Sequence, residues 1–268
     1  MEERKIVFEF VGVQIYQSDL SEEAVTRLNE ELVRKFHKAN WYDTRTEIAK
    51  SGILTTKSLN EVLLNQLENR IVVVEHTSVI IRAILSNPNL EQIDEKIWKK
   101  LSENYEWKLR KIAAESRFAT EERLQEMIEH ELKVGIASAV IEAILSNPNL
   151  KQIDEEIWTK ISEDKYWRTR KFVAESCLAT EKRLQKMLKE ELDKIANSYE
   201  IEAVSYVIEA ILSNQNLEQI DDYIWELLSQ NNNRLIRKIA AKCRFATEER
   251  LQKMLKHESE AVIRRKLY

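Results

Sequence analysis

Apolar residues recur at helical spacing along most of the chain, and the pattern copies itself. The run Ile80-Ile81-Arg82-Ala83-Ile84-Leu85 returns as Val140-Ile141-Glu142-Ala143-Ile144-Leu145 and as Val207-Ile208-Glu209-Ala210-Ile211-Leu212. Asn87-Pro88-Asn89-Leu90, Asn147-Pro148-Asn149-Leu150 and Asn214-Gln215-Asn216-Leu217 follow in the same order. Ala83 to Ala143 is a step of 60 and Ala143 to Ala210 a step of 67, so about seven residues are inserted near Lys194–Glu200. A period in this range marks stacked supersecondary units, each too small to bury its apolar face alone.

Each copy has two halves. In the first, a helix meets the Asn-Pro-Asn-Leu break and a second helix opens at Asp94, Asp154 or Asp221. Asp is a good N-cap, and proline cannot continue the helix before it. In the second, Arg110-Lys111-Ile112-Ala113-Ala114 leads to a break and a helix capped by Thr120, with Thr180 and Thr247 in the later copies. A weaker copy lies upstream, where Arg45-Thr46-Glu47-Ile48-Ala49 matches Arg110–Ala114 and Thr55 falls on Thr120. The copies run at about 41–76, 77–133, 134–193 and 201–259. Residues 260–268 begin another, with Arg265 and Lys266 where Ala143 and Ile144 stand, and read as a charged terminal cap ending at Tyr268. The expected domains are residues 1–38 and 39–268. Ile6–Ile15 is β-branched and aromatic and predicts a strand or short hairpin with Gly12 near its bend. Ser21-Glu22-Glu23 then opens a helix to about Lys38. This first domain is read as an N-terminal cap.

Composition supports the helical reading. Three Gly and two Pro compare with roughly 19 and 13 at average usage of about 7% and 5%, which disfavours turn-rich sheet folds. The net charge of −4 argues against a dedicated nucleic-acid binder. Two cysteines, Cys177 and Cys243, cannot build a metal cluster or a disulfide framework. The charged start and the lack of a long apolar run predict a cytoplasmic chain with no membrane partner.

The half-unit pattern resembles the leucine-rich repeat variant and HEAT-like families. Arg110-Lys111-Ile112-Ala113-Ala114 with Leu124 carries the likeness, as do Arg170-Lys171-Phe172-Val173-Ala174 with Leu184 and Arg237-Lys238-Ile239-Ala240-Ala241 with Leu251. The resemblance covers roughly residues 41–268. It implies an all-α, right-handed superhelical solenoid, often with short 3₁₀-like turns. Some variant-family members hold an iron–sulfur cluster on a cysteine-rich segment. This chain lacks that segment, so no cofactor is expected.

Trp98, Trp158 and Trp225 recur four residues after the capping Asp and are expected in the core. Trp107 and Trp167 precede the repeated Arg by three residues, with Tyr42 and Arg234 in the outer copies. A column that changes residue type, and uses the usual interface anchors, suggests partner contact. Arg45, Arg110, Arg170 and Arg237 recur, with Lys111, Lys171 and Lys238 beside the last three. The favoured reading bridges each Arg to an acid or helix carbonyl of the next repeat. The sharper one makes a basic stripe, widened by Arg117, Arg123, Arg183, Arg244 and Arg250. His37, His76, His130 and His257 lack metal-ligand spacing, and no catalytic signature is found. The expected function is a non-catalytic scaffold gripping a protein on a curved surface, as an adaptor, inhibitor or immunity-type protein. The alternative is a nucleic-acid binder using the Arg/Lys ladder, in the manner of HEAT-like DNA glycosylases. An enzyme of unrecognised type ranks third.

Overall fold

The computed structural model describes residues 6–10, 13–16, 20–39, 41–68, 74–195 and 201–267, with the side chains of 6–16 and 258–267 left aside. Gly12, part of the insertion before Ile201, and Tyr268 lie outside the described residues. Among the described residues are fifteen helices and one two-stranded antiparallel hairpin. The hairpin pairs β1 (Ile6–Phe10) with β2 (Val13–Tyr16), with a register shift between Ile6 and Phe8.

The helices are α1 (Glu22–Lys38), α2 (Tyr42–Lys50), α3 (Thr56–Glu68), α4 (Val74–Leu85), α5 (Glu95–Ser102), α6 (Trp107–Glu115), α7 (Glu121–Val134) and α8 (Ser138–Ser146). They continue with α9 (Glu155–Ser162), α10 (Trp167–Glu175), α11 (Glu181–Ile195), α12 (Ile201–Ser213), α13 (Asp222–Ser229), α14 (Arg234–Lys242) and α15 (Glu248–Leu267). By internal contacts they fall into two compact units. Unit 1 is residues 1–130 with 147–150, and unit 2 is residues 131–146 with 151–268.

Each unit has two rows of helices. In unit 1, α2, α4 and α6 pack side by side, α1, α3 and α5 form the second row, and the pairs α1–α2, α3–α4 and α5–α6 join them. Neighbours within a row run parallel. Lys108 in the first turn of α6 meets Glu75 in the first turn of α4 at 2.6 Å, and Glu115 at the end of α6 meets Arg82 in the last turn of α4 at 2.6 Å. In unit 2, α8, α10, α12 and α14 make one row, α11 packs on α13, and α9, α11 and α13 pack on α10, α12 and α14.

The breaks follow the repeat. Asp154 and Asp221 cap α9 and α13 by accepting from the Glu156 and Ile224 amides, whereas the Asp94 side chain, expected to do the same for α5, makes no cap bond. Thr55, Thr120, Thr180 and Thr247 accept from amides three residues on, at 3.3 to 3.4 Å, which satisfies an orphan donor of each following helix. Asn87-Pro88-Asn89-Leu90 closes a turn through the Leu90 amide to the Asn87 carbonyl at 3.1 Å. Asn214-Gln215-Asn216-Leu217 closes the same turn at 3.1 Å without proline.

The two asparagines of each turn hold the copy before it. Asn87 Nδ2 donates to the carbonyls of Ala49 (2.7 Å) and Ser51 (3.0 Å), and Asn89 Nδ2 to those of Gly52 (2.7 Å) and Leu54 (3.0 Å). Asn147 reaches Ala114 and Ser116, Asn149 reaches Ala119, and Asn214 and Asn216 reach Ala174, Ser176, Cys177 and Ala179. The leucine that ends each turn, Leu90, Leu150 or Leu217, is buried. Fully burying one such side chain contributes about 1.5–3 kcal/mol.

At the C-terminal end α15 runs as one helix from Glu248 to Leu267. The earlier helix α7 stops before Gly135, whose φ of +103° suits glycine, and Val262 stands at the matching position in α15.

Candidate partner-binding surface

The column Tyr42, Trp107, Trp167 and Arg234 is one structural position. Each residue is the first of a nine-residue helix in the even-numbered row. A first-turn residue lies at the row's end, where neighbours cover it least. Trp107 is 42% exposed, Tyr42 and Arg234 are exposed, and Trp167 is half-buried. The flanking Trp41 (76% exposed), Tyr105 (84%) and Tyr166 enlarge the aromatic surface. These three neighbours were missed from sequence, although each stands one or two residues before its column member.

In unit 1 the Tyr42 ring stacks on His76 of α4, with centroids 4.1 Å apart and planes 11° from parallel. Exposed Val79 lies one turn further along α4. In unit 2 Trp167 stacks on Tyr206 of α12 at 5.1 Å, and the Arg168 guanidinium lies 5.4 Å from the Trp167 centroid. Each unit thus presents rigid, partly wet aromatic rings held by a neighbouring helix. Such groups lose little freedom when a partner covers them. Beside the Trp167–Tyr206 pair a groove of about 500 Å³ runs between α10 and α12, lined by Lys171, Glu175, Cys177, Glu209 and Gln215.

The arginine column is placed elsewhere. Arg110 and Arg170 are each only 5% exposed. Arg110 Nη1 donates to the carbonyls of Asn104 (2.8 Å) and Tyr105 (3.1 Å), Arg170 Nη1 to Asp164 (2.7 Å) and Lys165 (3.2 Å), and Arg237 Nη1 to Asn231 (2.8 Å) and Asn232 (3.1 Å). These carbonyls precede the arginine's own helix, which corrects the expectation of a bridge to the next repeat. A helical side chain leans toward the N-terminus and meets the entering strand of chain first. Arg170 also grips Glu191 of α11, Nε to Oε1 at 2.7 Å and Nη2 to Oε2 at 3.2 Å. Arg45 meets Gln66 in the same register at 3.2 Å. The signal was present, since Gln66, Glu131, Glu191 and Glu258 all stand 21 residues after a repeated arginine.

The arginines expected to widen a basic stripe are engaged in the fold. Arg123, Arg183 and Arg250 lie over the buried rings of Trp98, Trp158 and Trp225 at 4.6, 4.5 and 5.0 Å, and pair with Glu95, Glu155 and Asp222. The hydrogen bond from Arg250 holds the Asp222 carboxyl below its ordinary range. Arg117 and Arg244 donate to the turn carbonyls of Asn87 and Leu90, and of Asn214 and Leu217. Lys111 and Lys171 are half-buried and approach Glu115 (3.7 Å) and Glu175 (2.6 Å) of their own helices. Lys238 is exposed and has Lys242 at that spacing instead.

Among the described residues, no group of three or more His, Cys, Asp or Glu could hold a metal ion, and no helix is long and apolar enough to cross a membrane. The thiols differ. Cys177 is exposed, whereas Cys243 donates to the Ala240 carbonyl at 3.2 Å and burial pushes its pKa up. A thiol reagent at neutral pH is expected to modify one equivalent fast and one slowly. Cys177→Ser should remove the fast phase; retention of that phase would reverse the assignment. Compared with known protein families, curated proteins and solved structures, the chain matches none.

Proposed function

We propose that the chain is a non-catalytic, cytoplasmic scaffold that grips a protein partner. Its repeats are read as a HEAT-like or leucine-rich-repeat-variant solenoid, with residues 1–38 as the N-terminal cap. The observation that carries this reading is the aromatic column at the first turns of α2, α6 and α10, at least partly exposed, whereas Trp98 and Trp158 in the copies of α6 and α10 are buried. Trp, Tyr and Arg are the residues that most often dominate interface energies. The recurrent interior contacts above account for the repeated residues without a reaction centre.

The nucleic-acid reading weighs less. Arg110 and Arg170 are buried, and a phosphate backbone needs cations it can reach. The chain is expected to give no salt-dependent shift of a duplex oligonucleotide, and a shift that weakens steeply with salt would restore that alternative.

The test is a Trp107→Ala/Trp167→Ala/Arg234→Ala variant in affinity capture from the native cell, with a photo-crosslinking residue at Tyr105 in the parent. Because the column is at least partly solvent-exposed, the three substitutions together should cost about 1–3 kcal/mol, most of it from the Trp167–Tyr206 stack. At least one partner crosslinked to the parent should be lost. Full retention of every partner by a folded variant sinks the proposal.

A further inference from the structure

In unit 2 one docking event can be followed on both sides. The turn after α10 offers the carbonyls of Ala174, Ser176, Cys177 and Ala179. Asn214 Nδ2 takes the first two at 2.6 and 3.1 Å, and Asn216 Nδ2 takes the others at 3.0 Å each. Around this seam Ala174, Ala179, Leu184 and Leu188 are fully buried. Unit 1 contains the same clasp twice, on the turns after α2 and after α6.

The last copy repeats the receiving half. A step of 67 residues places Ala241, Cys243, Arg244 and Ala246 on Ala174, Ser176, Cys177 and Ala179, and Leu251 and Leu255 on Leu184 and Leu188. The turn is preformed, since the Ala246 amide bonds the Cys243 carbonyl at 3.1 Å as the Ala179 amide bonds Ser176 at 3.1 Å. No asparagine among the described residues reaches it. Ala241 is exposed, Ala246 and Leu251 are half-exposed, and Leu255 is 70% exposed where Leu188 is buried.

Charge says more about the occupant. In the α10–α12 groove, Lys171 and Glu175 face Tyr206 and Glu209. On α14 the matching residues are Lys238 and Lys242, which with Arg234 put three exposed cations at four-residue spacing on one helix. A helix seated on α14 as α12 sits on α10 brings its own Glu209-type carboxylate against them.

We propose that the outer face of α14–α15 docks a helix–turn–helix segment of another polypeptide, carrying an Asn-x-Asn-Leu turn after a helix with a carboxylate five residues before the first asparagine. The receiving carbonyls, the apolar face and the cations are all present, so the site is pre-organised for a unit of the chain's own repeat type. A second copy of the chain does not supply it, because Asn87, Asn147 and Asn214 are each already engaged. Only Arg234 is shared with the first-turn column, whose tryptophans lie on α6 and α10, so the two proposals can fail separately.

The probe is a labelled synthetic peptide of residues 201–229, which spans α12, the turn and α13. It is titrated into the full chain by fluorescence anisotropy, and its footprint is read by amide hydrogen exchange. Saturable binding is expected, with protection over residues 241–255. Asn214→Ala/Asn216→Ala in the peptide should weaken binding by about tenfold or more, and Glu209→Lys should also weaken it. Leu255→Asp in the chain, with helical content unchanged, should abolish binding, while the Trp107→Ala/Trp167→Ala variant should bind normally. Four results overturn the proposal: no saturable binding, equal binding by the double-alanine peptide, protection over 174–188 instead, or a dimer of the chain that Leu255→Asp dissolves.

Discussion

Glu191→Ala is expected to destabilise the protein by about 3–5 kcal/mol, the usual cost of stripping one partner from a buried ion pair. The Arg170 and Glu191 side chains are 6% and 2% exposed and meet through two hydrogen bonds, and Lys194 adds a third contact to Glu191 at 2.6 Å. Without the carboxylate the guanidinium keeps only the carbonyls of Asp164 and Lys165, and its charge stays away from water. Glu191→Gln should cost less, because Gln66 already serves as the acceptor for Arg45 in the corresponding place. Repeat arrays transmit stability mainly between neighbours, so the damage should be local. Amide exchange should rise in α10 and α11 and stay near parental levels in α2 and α4. A loss below about 1 kcal/mol in denaturant unfolding would mean that Arg170 is satisfied without its partner.

The elements themselves were legible because their signals are local. Asp154 and Asp221 cap helices by bonding amides two or three residues away, and the threonines do the same, so the sequence carries donor and acceptor together. The tryptophan column at 98, 158 and 225 was legible from recurrence, and all three rings are buried. The first-turn column at 42, 107, 167 and 234 was legible as one position, though its aromatic neighbours were not. What failed to show was direction. The repeated arginines reach backward to their own helix entrance, and only the lean of helical side chains distinguishes that from a forward bridge.

The asparagine clasp was hidden for another reason. Its acceptors are backbone carbonyls of the preceding copy, and a carbonyl leaves no mark on residue type. A trace was still present in the third turn, where Pro is replaced by Gln215 while Asn214 and Asn216 remain. Proline only favours the turn, whereas the amide side chains bridge two copies. The same logic made a basic stripe look plausible. Arg123, Arg183 and Arg250 read as surface charge until the ring beneath and the acid beside each are seen together.

Trp98→Ala and Trp107→Ala should separate what holds the fold from what it offers. The two residues are nine positions apart in one copy and of one type, yet Trp98 is 1% exposed and Trp107 42%. Removing the Trp98 ring leaves a cavity in the core and takes away the surface over which Arg123 lies at 4.6 Å. Large-to-small substitutions of buried tryptophan cost about 3–5 kcal/mol, and the Arg123–Glu95 pair at 2.7 Å is too exposed on its acidic side to compensate. Trp107→Ala removes a ring that starts half in water, so stability should change by about 1 kcal/mol or less. Partner capture should show the opposite order. A folded Trp107→Ala chain should lose partner, whereas Trp98→Ala should retain it at temperatures where the chain is still native. If both variants lose stability equally, Trp107 is a core residue in solution. If neither changes capture, the first-turn column is not the grip.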